Sequence, residues 1–364
     1  LQNMISNDIN KYNNLWKSDP IDTIISEINI TQYFVQTING EQKITYKTRQ
    51  QLLEAATQPL LPKHLLSSFT GRELYYPTSI ESLVQTGIQM TLDETMNEHV
   101  TWIGEKKTNT FLKEQGAVNG DTTSVMNSND WYKTLDTSQE VLVWSGKASI
   151  NKDDGYGSEL PIIKSISIIH QSPKYLTSLL MDSSKVQIYN KMSLGRVDEK
   201  VFQTGVDTNN GKFGNDGETK IVRNLTKPPM VSSLLEFVTC MHARRLKASD
   251  LKVLNPNKSD NDENDGASDN HGYVVVSRAV TGGEWSNAPS STSPNGEKLV
   301  RNEILLGVNI LKPIPGEPYK TEMTSVTPVY SPLIPLMLAK NAGVKGAVDF
   351  VRDIRALPTV QEEE

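Results

Sequence analysis

The stretch TEMTSVTPVYSPLIPLMLAKNAGVKGAVDFVRDIRAL, residues 321–357, decides how the chain folds. Its first ten residues are rich in Thr and Val and read as a strand that stops at Ser331-Pro332. A serine N-cap followed by proline at the first helical position predicts a long helix over 332–357. Leu336, Ala339, Gly343, Ala347, Phe350 and Ile354 recur near a period of 3.6 and mark its apolar face. The middle of that face is small, with Gly343 and Ala347 on it and Gly346 alongside. A helix that only fills a core seldom carries so little side chain, since each small position leaves space or weakens the helix. A helix that roofs a hollow tolerates it. The expectation is a cavity beneath this helix.

Upstream, residues 273–280, 301–311 and 319–330 are strand-like, separated by turn chemistry at Gly282-Gly283 and Pro313-Ile314-Pro315-Gly316. Earlier strands are expected over 140–147, 162–170, 191–204, 218–226 and 236–244. Pro77-Thr78 opens a helix expected from Ile80 to about Lys106, with Leu83, Ile88, Leu92, Met96, Val100 and Ile103 on one face. Ser172-Pro173 caps a short helix over 174–181. Mostly short connections between consecutive strands favour an antiparallel sheet, and helices set apart from the strands give an α+β class. The architecture expected is one curved antiparallel sheet wrapped around the C-terminal helix.

Residues 119–130, 205–218 and 255–272 read as polar connectors, and 287–297 as another polar loop. Near the N-terminus, 21–30 has helical or mixed periodicity. Tyr33 to Tyr46 reads as a hairpin across Asn39-Gly40, and Arg49 to Thr57 as a short helix stopped by Pro59. The organisation expected is an N-terminal extension (1–80), a main domain (81–358) and an acidic tail (359–364).

Composition narrows the function. The 364 residues are 37% hydrophobic, and no run approaches the ~20 apolar residues of a spanning helix. A net charge of −6 argues against nucleic acid as a partner. A single cysteine, Cys240, rules out an intrachain disulfide framework and multi-cysteine zinc sites, which suits a reducing compartment. The chain begins at Leu1, so a cleaved targeting peptide stays open. No nucleophile elbow, phosphate loop, dinucleotide fingerprint or His-Glu-x-x-His is present. Cys240 and His242 share a strand face and read as a buried thiol beside a hydrogen-bonded histidine rather than a metal pair. The acidic run 260–269 lacks the closing glutamate of a calcium loop. No catalytic residue, metal or cofactor is expected.

Four segments then show a resemblance. ETKIVRNLTKPPM (218–230), GYVVVSRAV (272–280), VRNEILLGVNILKPIPG (300–316) and residues 321–357 together resemble a START domain, the lipid-binding helix-grip module related to steroidogenic acute regulatory protein. The likeness spans about residue 81 to 357, and its last segment is the most specific. Leu235-Glu236-Phe237 stands where many members open a strand with Arg-Asp-Phe. Where sterol-binding members often place an arginine, Cys240-Met241-His242 is found, so a buried charged pair is not implied.

The resemblance implies one lipid held in an internal cavity for transfer or sensing, without catalysis. It also implies transient contact with a membrane surface and a cytoplasmic, peripheral location. With the small face of the terminal helix, it makes Arg223, Met241, Arg278, Arg301, Glu303, Met323, Leu336, Met337, Gly343, Ala347 and Phe350 the candidate ligand-binding residues. Arg301 and Glu303 share a strand face, where they either fix a polar headgroup or form a surface pair. Two alternatives stay open: a cyclase or hydrolase on the same scaffold, and a ligand-regulated module whose first eighty residues bind a protein partner.

Overall fold

A computed structural model describes residues 34–38, 41–45, 76–92, 100–116, 131–148, 161–203, 217–228, 233–254, 272–279, 299–331, 334 and 336–359. The helices expected over 21–30 and 49–57 lie outside them. Phe34–Ile38 (β1) and Glu41–Thr45 (β2) pair antiparallel with Ile38 opposite Glu41, the register a two-residue turn imposes.

The first long helix, α1, is Tyr76–Thr91 and stops well short of Lys106. Val100–Gly104 is instead a strand, β3, paired antiparallel with Leu142–Ala148 (β4). Its Val-Thr-Trp-Ile run prefers a pleated, half-buried surface. The helical spacing of Val100 and Ile103 matches i, i+3 by coincidence. Lys106–Glu114 (α2) and Trp131–Ser138 (α3) follow, neither of them anticipated from sequence.

Next come Ile162–Ile169 (β5), Pro173–Met181 (α4), a single 3₁₀ turn at Ser183–Lys185 and Val186–Tyr189 (α5). Ser172 accepts from the Tyr175 N–H as the expected N-cap. The chain continues through Ser193–Gln203 (β6), Glu218–Thr226 (β7), Leu234–Arg245 (β8), Ala248–Leu254 (α6), Tyr273–Ala279 (β9), Leu299–Ile304 (β10), Gly307–Ile314 (β11), Glu317–Tyr330 (β12) and Leu336–Arg355 (α7). The strand expected over 301–311 is thus two strands, broken at the buried Leu305-Leu306.

The main sheet has ten strands in the order β3-β4-β5-β12-β11-β9-β8-β7-β6. β10 lies off this path, antiparallel to the end of β12 and parallel to the start of β8. It fills the space left where β9 ends, with Ala279 opposite Thr239. The remaining neighbours are antiparallel, so the class is α+β with a curved, unclosed sheet and a C-terminal helix.

Side chains alternate between two faces. One face packs against α1: Leu83, Val84 and Ile88 meet Val274, Val276, Val308 and Val326. Gly87 permits the close approach, because a Cβ there would lie 3.2 Å from Val308. Buried cations sit on this face, Arg244 and Lys164 among them. Arg244 donates to Asp250 of α6 at 2.7 Å and to Glu81 of α1 at 2.8 Å, joining three elements. Lys164 places its ammonium 4.8 Å and 5.1 Å from the ring centroids of Trp102 and Trp144. The opposite face packs against α4, α5 and the second half of α7. There Leu176, Leu180, Tyr189, Val351 and Ile354 meet Val275, Leu311 and Met323.

Candidate ligand-binding site

The face beneath α7 is the one the sequence points to. α7 starts four residues later than expected, at Leu336 rather than Pro332. Ile334 precedes Pro335, and the residue before a proline is steered out of the α region, so the helix cannot run through it. The helix lies over β4 and β5 and against α5. A Cβ on Gly343 would fall 2.8 Å from Cγ1 of Ile163, so this glycine lets the helix seat directly on β5. Gly346 has nothing within 4 Å of where its Cβ would be. Val344, Ala347 and Phe350 are half-buried, and the Phe350 ring meets Tyr189 edge-on at 5.9 Å.

Burial on the sheet beneath is graded. Toward the C-terminal end of α7, Leu311 and Met323 are at most 1% exposed, sealed by Val351 and Ile354. Toward its first half, Asn309, Ser277, Thr327 and Phe237 are half-exposed although they belong to central strands. Register puts them on the α7 face: Asn309 pairs Val275, Ser277 pairs Met241 and Thr327 follows Met323 at even spacing. These half-buried positions lie in the middle of the sheet, on the face that α7 partly covers through its contacts with β4 and β5. This surface is more polar than the sequence suggests. Ser325 donates to Asn309 Oδ1 at 2.6 Å, and Gly307 clears room for the Ser277 hydroxyl.

The expected site residues divide between the two faces. Met241 and Met323 lie on the α7 face, with Gly343, Ala347 and Phe350 on the helix above; Leu336 and Met337 open that helix. The four charged candidates lie on the α1 face. Arg278 is opposite Cys240, Arg223 opposite Val238 and Arg301 beside Glu236, with Glu303 two residues beyond. Glu236, 2% exposed, accepts from Arg301 Nε at 3.1 Å and from Arg223. Burial draws the Arg301 guanidinium below its ordinary pKa against the pull of Glu236. Burial also opposes the charge on Arg223, yet Glu199 and Glu236 together hold its pKa above the usual value.

Cys240 and His242 share the α1 face as well. Burial pushes the thiol up to about 12, partly offset by Arg278. Burial, reinforced by the Arg244 charge, drops His242 to about 3, and its Nδ1 lies 2.8 Å from Thr219 Oγ1. A neutral thiol and a neutral, enclosed imidazole supply neither nucleophile nor base near pH 7.

A concavity of about 700 Å³ opens between α4, the 3₁₀ turn, β6 and β7, where the sequence marks no site. Its lining is charged and internally matched. Lys220 pairs with Asp198 and Glu218 at 3.1 Å each, while Arg196 donates to Ser183 Oγ, Tyr189 OH and the Leu180 carbonyl. Among the described residues no group of three His, Cys, Asp or Glu is placed to hold a metal, and no helix is long and apolar enough to cross a membrane.

No family model matches the chain, and no curated protein matches it in sequence. Solved structures do. The lipid transfer and protein localization domain of human StarD13 is 10% identical at a TM-score of 0.41, covering 76% of this chain and 97% of that one. Human StAR-related lipid transfer protein 5 is 12% identical at 0.39, covering 59% and 80%. A StAR-related lipid transfer protein fragment from Xanthomonas axonopodis is 14% identical at 0.37, covering 59% and 92%. The structures it resembles are START-type lipid-transfer domains.

Proposed function

We propose that the chain binds one apolar ligand, a lipid, between the first half of α7 and the central strands, for transfer or sensing and without chemical conversion. The observation that supports this is the half-buried middle of the sheet at Asn309, Ser277, Thr327 and Phe237, on the face that carries α7, where the small Ala347 is itself only half-buried. Enclosing ~400 Å² of ligand surface stabilises the complex by on the order of 10 kcal/mol before ordering costs. Met241, on the same face, adds a side chain that adapts to irregular shapes, while Met323 is sealed under the second half of α7. The charged set of Arg223, Glu236, Arg301 and Glu303 serves the opposite face, as an ion network rather than a ligand contact. Ligand exchange takes place at a membrane surface, and the N-terminal extension of 1–80 carries any protein-partner role.

Ala347→Trp tests this reading by filling the hollow from the helix side. Displacement of a fluorescent acyl-chain probe is expected to weaken at least tenfold, with the melting temperature preserved. Loading equal to that of the unaltered protein rules the reading out.

A further inference from the structure

We infer that Asn302 and Ser331 form a polar clamp for a hydroxyl group on the ligand, an assignment that rests on the apolar-ligand reading above. Asn302, 1% exposed, donates its Nδ2 to the Val300 carbonyl at 2.8 Å, which identifies Oδ1 as an acceptor. That Oδ1 is buried and meets no donor. The Ser331 hydroxyl is also buried and without a hydrogen-bond partner. A buried polar group left unmet is destabilising, so two such groups on neighbouring strands call for an explanation.

The β10–β12 register, carried one step past its last pair, brings them opposite one another. β10 pairs with β12 as Glu303↔Tyr330 and Ile304↔Val329, and one further step sets Asn302 opposite Ser331. Facing positions in such a ladder hold their Cβ atoms about 5 Å apart. The face follows separately from each strand. Asn302 pairs with Phe237, which alternates with Thr239 and Met241 on the α7 face. Ser331 continues the even spacing from Met323 through Ser325, Thr327 and Val329 onto that same face. The pair therefore stands on the α7 face shortly before that helix begins, with Asn302 beside the half-buried Phe237, at one end of the proposed ligand space.

The chemistry selects the ligand. Asn302 Oδ1 takes a donor, and Ser331 offers an O–H while also accepting. An alcohol, one donor with two acceptor lone pairs, satisfies both at once. A carboxylate or an ester has no proton for Asn302. The ligand class is an apolar body, chain or fused ring, that ends in a free hydroxyl.

Two matched pairs test this: oleyl alcohol against its methyl ether, and cholesterol against cholesteryl methyl ether, each displacing a fluorescent apolar probe from the full chain. Whichever skeleton binds, the alcohol is expected to bind at least tenfold more tightly than the ether. Asn302→Leu should erase that preference by weakening the alcohol alone, and Ser331→Ala should reduce it. The melting temperature of ligand-free Asn302→Leu should hold or rise, because an orphaned acceptor has been removed. Equal binding of alcohol and ether, or a preference that survives both substitutions, overturns the clamp while leaving the apolar-ligand reading intact. Binding of neither skeleton under either head defeats that reading and the clamp with it.

Discussion

Gly343 of α7 faces Ile163 of β5 so closely that a Cβ on the glycine would lie 2.8 Å from the isoleucine Cγ1. The contact fixes the height of the terminal helix over the sheet, and the proposed ligand space lies beside it. Gly343→Leu is expected to destabilise the fold by about 1–3 kcal/mol through overpacking. Ile163→Ala in the same chain should restore part of that loss, because the neighbour that clashes has been cut back. Gly346→Ala, with open space around it, should instead stabilise by about 0.5–1 kcal/mol. Thermal melting of the variants checks all three signs; a Gly343→Leu chain as stable as the parent contradicts the seating contact.

The ion network on the other face sets a larger effect. Arg244 and Asp250 are 1% and 0% exposed in their side chains and joined at 2.7 Å. Asp250→Ala removes the more buried of the two carboxylates that Arg244 meets, and it frees the Lys247 N–H that Asp250 also accepts. A loss of about 3–5 kcal/mol is expected. Replacing Glu81, which is better exposed, should cost less, and chemical denaturation of both variants gives the comparison.

His242 makes stability depend on pH. Its folded pKa of about 3 lies below the ordinary 6.5, so the unfolded chain takes up the proton first as the solution is acidified. The contribution is complete above pH 6.5 and is lost as pH falls toward 3, at about 1.4 kcal/mol per unit. Between pH 6.5 and 5, above the range where the paired carboxylates titrate, a loss of about 2 kcal/mol is expected. Urea midpoints across that window should fall for the parent chain and stay flatter for His242→Gln.

Much of this architecture was legible in the sequence because local chemistry and global packing agree. Asn39-Gly40 announces a two-residue turn, Ser172-Pro173 a helix start, and the 3.6 period of 336–354 the closing helix. Legibility failed where two patterns coincide. Val100 and Ile103 fit a helical face and a strand equally well, and only pairing with β4 decides for the strand. The break at Leu305-Leu306 carries no Gly, Pro or Asn, so β10 and β11 read as one run.

The site was half-visible for a related reason. Side-chain size along α7 shows in the sequence, so Gly343 and Ala347 stood out. The face that Arg223, Arg278, Arg301 and Glu303 occupy depends on strand register with β8, which no local pattern states. Asn309, Ser325, Asn302 and Ser331 escaped notice because Ser, Thr and Asn alternating along a strand look like a solvent face. Here that face lies under a helix.

The central claim is tested most directly by native mass spectrometry of the full chain after incubation with a cellular lipid extract. A single adduct at one-to-one stoichiometry, released intact on denaturation and lost in Ala347→Trp, is the predicted result. Spectra showing only the bare chain at every lipid concentration would contradict the account.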